Sequence, residues 1–323
     1  MKNSRVFVTG ATGFIGRSLV RRLMDESYSV CILTRNPGRV PPEWKDKVTV
    51  LKGDLSDKRL SLPDGIEVVF HCAGEIKDET KMSSVHVTGT ENLCAAAKHR
   101  IRHWVQLSSV GAYGPRSSGV IMEETPLRPA GIYETTKVKS DQLVLDAARK
   151  GAFTFSLLRP SNIFGPAMTN RSLFQMIAMV DKGLFFFIGR PGASANYIHV
   201  DNVVEALIRC WKMPEAKGQI YNLSDYRTLE EFIAIIANEL KRPFPKIRLP
   251  ERPVRLITRL CASLPGFPLT EKRIDALTLR SSYSIKKIQD DLGYTHRVSM
   301  EDGLRQMVTQ GKVKKAGLCV SAL

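Results

Sequence analysis

"VTGATGFIG" at residues 8–16 sets Gly10, Gly13 and Gly16 directly behind a short apolar run. Val6, Phe7 and Val8 read as a buried strand, and Phe14, Ile15, Leu19, Val20 and Leu23 recur at helical spacing from Phe14 to Met24. The glycines therefore fall at a strand-to-helix turn. Missing side chains there let the backbone turn tightly and let a phosphate approach the helix N-terminus, whose free N–H groups carry partial positive charge. Thr12, Phe14 and Ile15 share the turn and join the three glycines as candidate cofactor contacts. The bare spacing also fits an ordinary glycine-rich turn, so the rest of the chain must decide.

Outward from the turn, strand and helix patterns alternate. Strands read at 5–9, 29–34, 48–52, 67–72, 103–108 and 153–158, and helices at 14–24, 84–99 and 132–150. That alternation predicts an α/β fold: a Rossmann-type, doubly wound parallel sheet that binds ligands at the carboxyl ends of its strands. After Pro160 the regularity fails, and prolines around 242–253 and 264–268 separate short helices. The expected organisation is a dinucleotide-binding domain over 1–165 and a smaller C-terminal substrate lobe over 166–310. Residues 196–224 are expected to return to the first domain, and 311–323 form a basic tail.

The chain has 323 residues, 43% of them hydrophobic and 25% charged, as in an ordinary globular protein. No signal peptide or membrane-spanning run is visible, and cytoplasmic location is the expectation. Cys31, Cys72, Cys94, Cys210, Cys261 and Cys319 form no CxxC pair, which suits reduced thiols and neither disulfides nor a metal site. The net charge of +16 is clustered at 98–102, 241–255 and 312–315. It fits a solvated basic surface, a polyanionic small molecule or peripheral contact with an acidic membrane face. Nucleic acid is not indicated, because no cluster carries interleaved aromatics or a recognition helix.

"YETTK" at 133–137 falls early in a helical pattern, so Tyr133 and Lys137 share one face. A phenol with a pKa near 10 needs roughly 4 kcal/mol of preferential phenolate stabilisation to reach about 7. A neighbouring Lys and a cationic nicotinamide ring are partners of the right sign. "VQLSSVGAYG" at 105–114 puts Ser108 and Ser109 at a strand end, where a hydroxyl can bond the oxygen that the tyrosine protonates or deprotonates. Alone, either motif also reads as a surface helix pair or a turn serine; their joint order after the glycine turn points to catalysis.

With these pieces the chain resembles the extended short-chain dehydrogenase/reductase family, the NAD(P)-dependent nucleotide-sugar epimerases and reductases. The resemblance runs to about residue 310 and includes "GDLSD" at 53–57, "VVFHCAG" at 68–74, "VTGTENL" at 87–93, "LRPSNIFGP" at 158–166 and "NYIHVDNVVEAL" at 196–207. It implies Tyr133 as acid/base, Lys137 as its electrostatic partner and ribose ligand, and Ser109 as the hydroxyl orienting substrate. Asp54 and Leu55 would border the adenine, Ala73, Gly74 and Ser108 the cofactor, and Pro160 and Asn162 would lie between nicotinamide and substrate. A homodimer through the helices at 84–99 and 132–150 is also implied. The family usually carries Asn where this chain has His86, for which a structural role is expected.

Arg35 closes the second strand where a carboxylate would meet the 2′-OH of NAD; an Arg suits a 2′-phosphate, which favours NADP. Val110, Gly111 and Ala112 follow Ser109 where sugar dehydratases carry an Asp-Glu pair, so dehydration is not expected. The expected substrate is a nucleotide-sugar, a UDP-hexose or UDP-N-acetylhexosamine, epimerised or reduced at C4, with Arg190 a candidate diphosphate contact. A hydroxysteroid or other alcohol dehydrogenase is the second reading, kept open by "LFFFIG" at 184–189. The third is a non-catalytic dinucleotide-sensing protein, which has no need of Ser109, Tyr133 and Lys137.

Overall fold

The computed structural model describes residues 4–261 and 269–320. Its first half winds strands β1 (Arg5–Thr9), β2 (Ser29–Thr34), β3 (Val48–Lys52), β4 (Ile66–His71) and β5 (His103–Leu107) with helices α1 (Phe14–Asp25), α2 (Glu79–Ser83) and α3 (Gly89–Ala97). The single helix expected at 84–99 is instead α2 and α3 joined through a π-helical turn, Ser84–Thr88. Next come β6 (Ser118–Ile121), α4 (Ile132–Arg149), β7 (Thr154–Pro160), β8 (Asn162–Phe164) and α5 (Ser172–Asp181). They are followed by β9 (Phe187–Ile188), β10 (Ser194–His199), α6 (Val200–Lys212), β11 (Gln219–Leu223), β12 (Asp225–Thr228) and α7 (Leu229–Leu240). The chain closes with β13 (Arg248–Leu249), α8 (Glu251–Leu260), α9 (Glu271–Thr278), β14 (Arg280–Tyr283), α10 (Lys286–Leu292) and α11 (Met300–Val320).

Seven parallel strands form the central sheet in the order β11-β7-β5-β4-β1-β2-β3. The inner strands β1, β2 and β4 are mostly apolar because both faces are covered, and the period of two sorts each residue to one face. Val6, Val8, Val30, Ile32, Val68 and Phe70 join Leu19 and Leu23 of α1 and Val203 and Leu207 of α6. Phe7, Cys31, Leu33 and Val69 face the other way, onto Leu93 of α3 and Val144 of α4. Each such large side chain stabilises the fold by about 1.5–3 kcal/mol through burial. Strand order reverses beside β1, between β1 and β4, so their carboxyl ends open a crevice for a ligand.

The smaller lobe holds a three-stranded sheet, β12-β10-β8, and two strand pairs, β13-β9 and β14-β6. Its core gathers Phe164, Leu173, Phe187, Phe232, Ile236 and Leu304. The lobe boundary at 165 is not clean: β6 lies before it yet pairs with β14. Of 196–224, α6 and β11 belong with the central sheet, whereas β10 belongs to the lobe. The basic tail at 311–323 falls partly in α11, and residues 321–323 lie outside the described ones. Cys31, Cys72, Cys94, Cys210 and Cys261 are free thiols. Among the described residues no helix is long and apolar enough to cross a membrane.

Candidate active site

Gly10 has φ of +67°, and a Cβ there would lie 2.7 Å from the backbone of Cys72 and Ala73, so the end of β1 meets the end of β4 only without a side chain. A Cβ on Gly16 would overlap the carbonyl oxygen of Gly10, which packs the first turn of α1 onto the loop. Gly13 caps α1 without any side-chain hydrogen bond, and no acidic residue lies in the first turn. The opening N–H groups of α1 are thus left facing an open, backbone-lined cradle, the donor set a dinucleotide pyrophosphate needs. The residues present fit that group. Thr12 turns its carbonyl to Arg17, and the Phe14 ring reaches toward Gly165, just after β8. Ile15 packs partly buried against the core beneath the turn.

Around the cradle the expected contacts sort into several environments. Arg35 is exposed at the end of β2, its guanidinium 3.9 Å from Asp54. Asp54 in turn accepts the Ser56 N–H and hydroxyl at 2.9 Å each. Leu55 is 8% exposed, a core residue whose carbonyl accepts from Asn92. Ala73 donates its N–H to Thr9 Oγ1, and Gly74 faces the His86 ring. Pro160 ends β7, and Asn162 in β8 lines the lobe cavity.

Ser109, Tyr133 and Lys137 come together at the end of β5. Ser109 caps the short 3₁₀ turn at Val110–Tyr113 by accepting the Gly111 N–H at 3.1 Å, and its hydroxyl hydrogen-bonds the Tyr133 phenol. Burial pushes Tyr133 up to about 12; the Ser109 bond pulls it down, while Glu134 and Asp141 push it further up. At neutral pH the phenol is therefore protonated, with phenolate on the order of one part in 10⁵. It is poised to give a proton to a ketone. Lys137 is buried and donates to the Leu107 carbonyl at 2.6 Å; burial lowers its pKa, and Asp141 raises it. Ser108, expected at the cofactor, instead commits its hydroxyl to Asp141 inside the fold. That happens because Ser108 is only 4% exposed and lies opposite a buried carboxylate.

His86 is buried in the π-helical turn, and its bonding fixes its proton. Nε2 accepts the Glu75 N–H at 2.8 Å, so Nδ1 carries the hydrogen and donates to Thr136 Oγ1 at 2.8 Å. The Thr136 hydroxyl then donates to the Ile132 carbonyl at 2.8 Å. The ring also meets Tyr133 edge-on, with centroids 5.6 Å apart. His86 thus braces the first turn of α4, and burial keeps it neutral, with a pKa of about 4. This is the structural role expected of it.

Sequence reasoning missed the buried polar layer behind these groups. Asp141, one turn beyond Lys137, accepts from Ser108 and lies 4.0 Å from Arg159, both side chains 3% exposed. Arg159 donates to the Tyr113 hydroxyl at 3.1 Å, and Tyr113 donates to Asn222 at 2.7 Å. Gln106 donates to Ser140 at 3.0 Å, which bonds Thr90 at 2.8 Å and so reaches His71. The one available signal was the four-residue spacing from Lys137 to Asp141.

The lobe carries an open cavity of about 1030 Å³, reached on one side by β8. Met168, Met176, Leu184, Phe185, Phe186 and Ile188 are among its walls, next to Asn162 and Ile163. Arg190 is exposed on the turn after β9 and is not part of this wall; its carbonyl accepts from Arg280. The charged residues that do line the cavity are Lys182 and Arg273.

A protonated phenol and a hydroxyl at the rim of a dinucleotide cradle are the arrangement of NAD-dependent enzymes of the extended short-chain dehydrogenase/reductase type. The model of the NAD dependent epimerase/dehydratase family matches residues 6–224, and the chain belongs to that family. A 3 beta-hydroxysteroid dehydrogenase/Delta 5-->4-isomerase of Mycobacterium tuberculosis is 28% identical over 94% of this chain and 89% of its own length. A UDP-glucose 4-epimerase of Mycolicibacterium smegmatis is 29% identical over 68% of this chain and 76% of its own. The crystal structure of a UDP-glucuronic acid 4-epimerase from Bacillus cereus, in complex with NAD, matches the fold with a TM-score of 0.73 at 19% identity, over 96% of this chain and 99% of that one.

Proposed function

We propose that this enzyme is an oxidoreductase for a secondary alcohol or ketone on an apolar, ring-sized molecule of the hydroxysteroid type. The cavity wall carries this reading. A diphosphate is a dense anion that calls for several converging donors, yet Lys182 and Arg273 are the only cations among the described wall residues, and aliphatic and aromatic side chains fill most of the rest. The volume, about 1030 Å³, is at the upper end for a pocket enclosing a small molecule. The similarity to the mycobacterial hydroxysteroid dehydrogenase, which spans more of the chain than that to the UDP-glucose 4-epimerase, supports the same order. The nucleotide-sugar reading, placed first on sequence, becomes the second.

A bound nicotinamide dinucleotide supplies or accepts the hydride. Tyr133 gives its proton to the carbonyl oxygen during reduction, and Ser109 bonds that same oxygen and holds it in line. Lys137 places a buried positive charge beside the strand end, and Asn162 lines the cavity in which the substrate would lie. Arg35, exposed at the end of β2, supports a 2′-phosphate and hence NADP as the preferred cofactor.

Thermal-shift measurements with a 3-hydroxysteroid, UDP and UDP-N-acetylglucosamine, each with and without dinucleotide, test this reading. The steroid should raise the melting temperature and the uridine compounds should not. Stabilisation by uridine nucleotides alone would return the nucleotide-sugar reading to first place.

A further inference from the structure

We propose that the outer face of α8 docks on the surface of an anionic lipid bilayer and sets the mouth of the lobe cavity against the lipid. The inference rests on the reading of an apolar substrate, which would reach the site from the membrane and not through water. Helix α8 has two apolar sides. Val254 and Thr258 are buried, Val254 packing on Ile188 and Ile274. On the opposite side Leu256, Ile257 and Leu260 are 59%, 52% and 73% exposed. Their spacing makes one stripe along the helix.

The stripe continues into the cavity. Ile257, Leu249 and Leu184 are exposed and also form part of the cavity wall. Among the described residues, eight of the fourteen large hydrophobics exposed to solvent fall from Leu184 to Leu260. Single exposed leucines need no explanation, but a concentration at the mouth of an apolar cavity marks an interaction surface.

Charge selects the occupant. Residues 241–261 hold seven Lys or Arg and a single acid, Glu251. Arg255 and Arg259 are tied to Glu271, but Lys241, Lys246 and Arg252 have no acidic partner among the described residues. A second copy of the chain would bring the same cations against this face, so self-association is opposed. Anionic headgroups complement them, while the leucines enter the acyl boundary in the manner of an interfacial helix.

The test is co-sedimentation of the full chain with vesicles of equal parts phosphatidylcholine and phosphatidylglycerol, and with pure phosphatidylcholine. Binding should favour the anionic vesicles and weaken with salt. Leu256→Glu and Leu260→Glu should each weaken it roughly tenfold or more, since each removes a leucine from the interface. Lys246→Glu with Arg252→Glu should abolish the preference for anionic lipid. Unchanged melting temperatures confirm that these exposed substitutions leave the fold intact. Absence of vesicle binding, equal binding by the leucine variants, or a concentration-dependent dimer that Leu256→Glu breaks would each overturn the proposal. The steroid thermal shift contains no lipid, so the two readings fail separately: vesicle binding without a steroid response removes the substrate reading, and a steroid response without vesicle binding removes the docking surface.

Discussion

Replacing Asp141 with Ala should destabilise the protein more than any exposed charge change, and the structure sets the scale. The carboxylate is 2% exposed and is the buried anion between Lys137 and Arg159. Burial pushes its pKa up, and the two cations with the Ser108 and Gln106 hydrogen bonds pull it back. Removing one partner of a buried charge cluster costs about 3–5 kcal/mol, because the remaining charges stay desolvated. At about 2.1 cal/mol/K per residue, 323 residues give an unfolding entropy of about 0.7 kcal/mol/K, so Tm should fall by about 4–7 °C. Arg159→Met in the Asp141→Ala background removes one orphaned cation and should recover part of the loss, a coupling of about 1–3 kcal/mol. The substitution should also lower the pKa of Lys137, which Asp141 raises, and move the alkaline limb of the kcat/KM profile to lower pH. Calorimetry on the four members of the cycle, with a pH-rate profile on Asp141→Asn, reads both effects. A Tm change below about 1.5 °C for Asp141→Ala, with strictly additive double-variant behaviour, would refute the cluster as a source of stability.

Gly16→Ala should abolish dinucleotide binding by calorimetry, because its Cβ overlaps the Gly10 carbonyl and the turn must open. Arg35→Ala should weaken NADP binding far more than NAD binding, and equal losses in titration calorimetry would remove Arg35 from cofactor selection. Stability should be full above about pH 6.5 and fall toward about pH 4, because the unfolded chain takes up protons that the buried imidazoles refuse. His71, with a folded pKa of about 3, and His86 and His103, at about 4, each contribute up to about 1.4 kcal/mol per pH unit in that window. His86→Asn should flatten the Tm-against-pH curve; an unchanged slope would show that His86 does not contribute.

The central sheet was readable because strands buried on both faces are apolar runs separated by amphipathic helices, as in Val6–Val8 and the Leu19–Leu23 face of α1. The candidate site was legible because turn glycines and a Tyr-x-x-x-Lys helix keep fixed local spacing, and the structure brings Ser109, Tyr133 and Lys137 together. The lobe was not. Its β9 and β13 are two residues each, and β6 pairs with β14 across more than 150 residues of chain, so no local periodicity announces them. The network from Ser108 through Asp141 and Arg159 to Tyr113 and Asn222 draws on the residue after β5, the 3₁₀ turn at Val110–Tyr113, α4, β7 and β11, which meet only in three dimensions. Arg190 shows the limit from the other side: a cation beside a motif says nothing about the direction in which it faces.

The most direct test is steady-state consumption of reduced dinucleotide during reduction of a 3-ketosteroid, measured in parallel for the parent enzyme and Tyr133→Phe. The account predicts turnover by the parent and a loss of two or more orders of magnitude in kcat for Tyr133→Phe, with cofactor affinity retained, since the ring still packs while the proton donor is gone. Equal turnover by the two proteins, or turnover only when a UDP-sugar replaces the steroid, would contradict it.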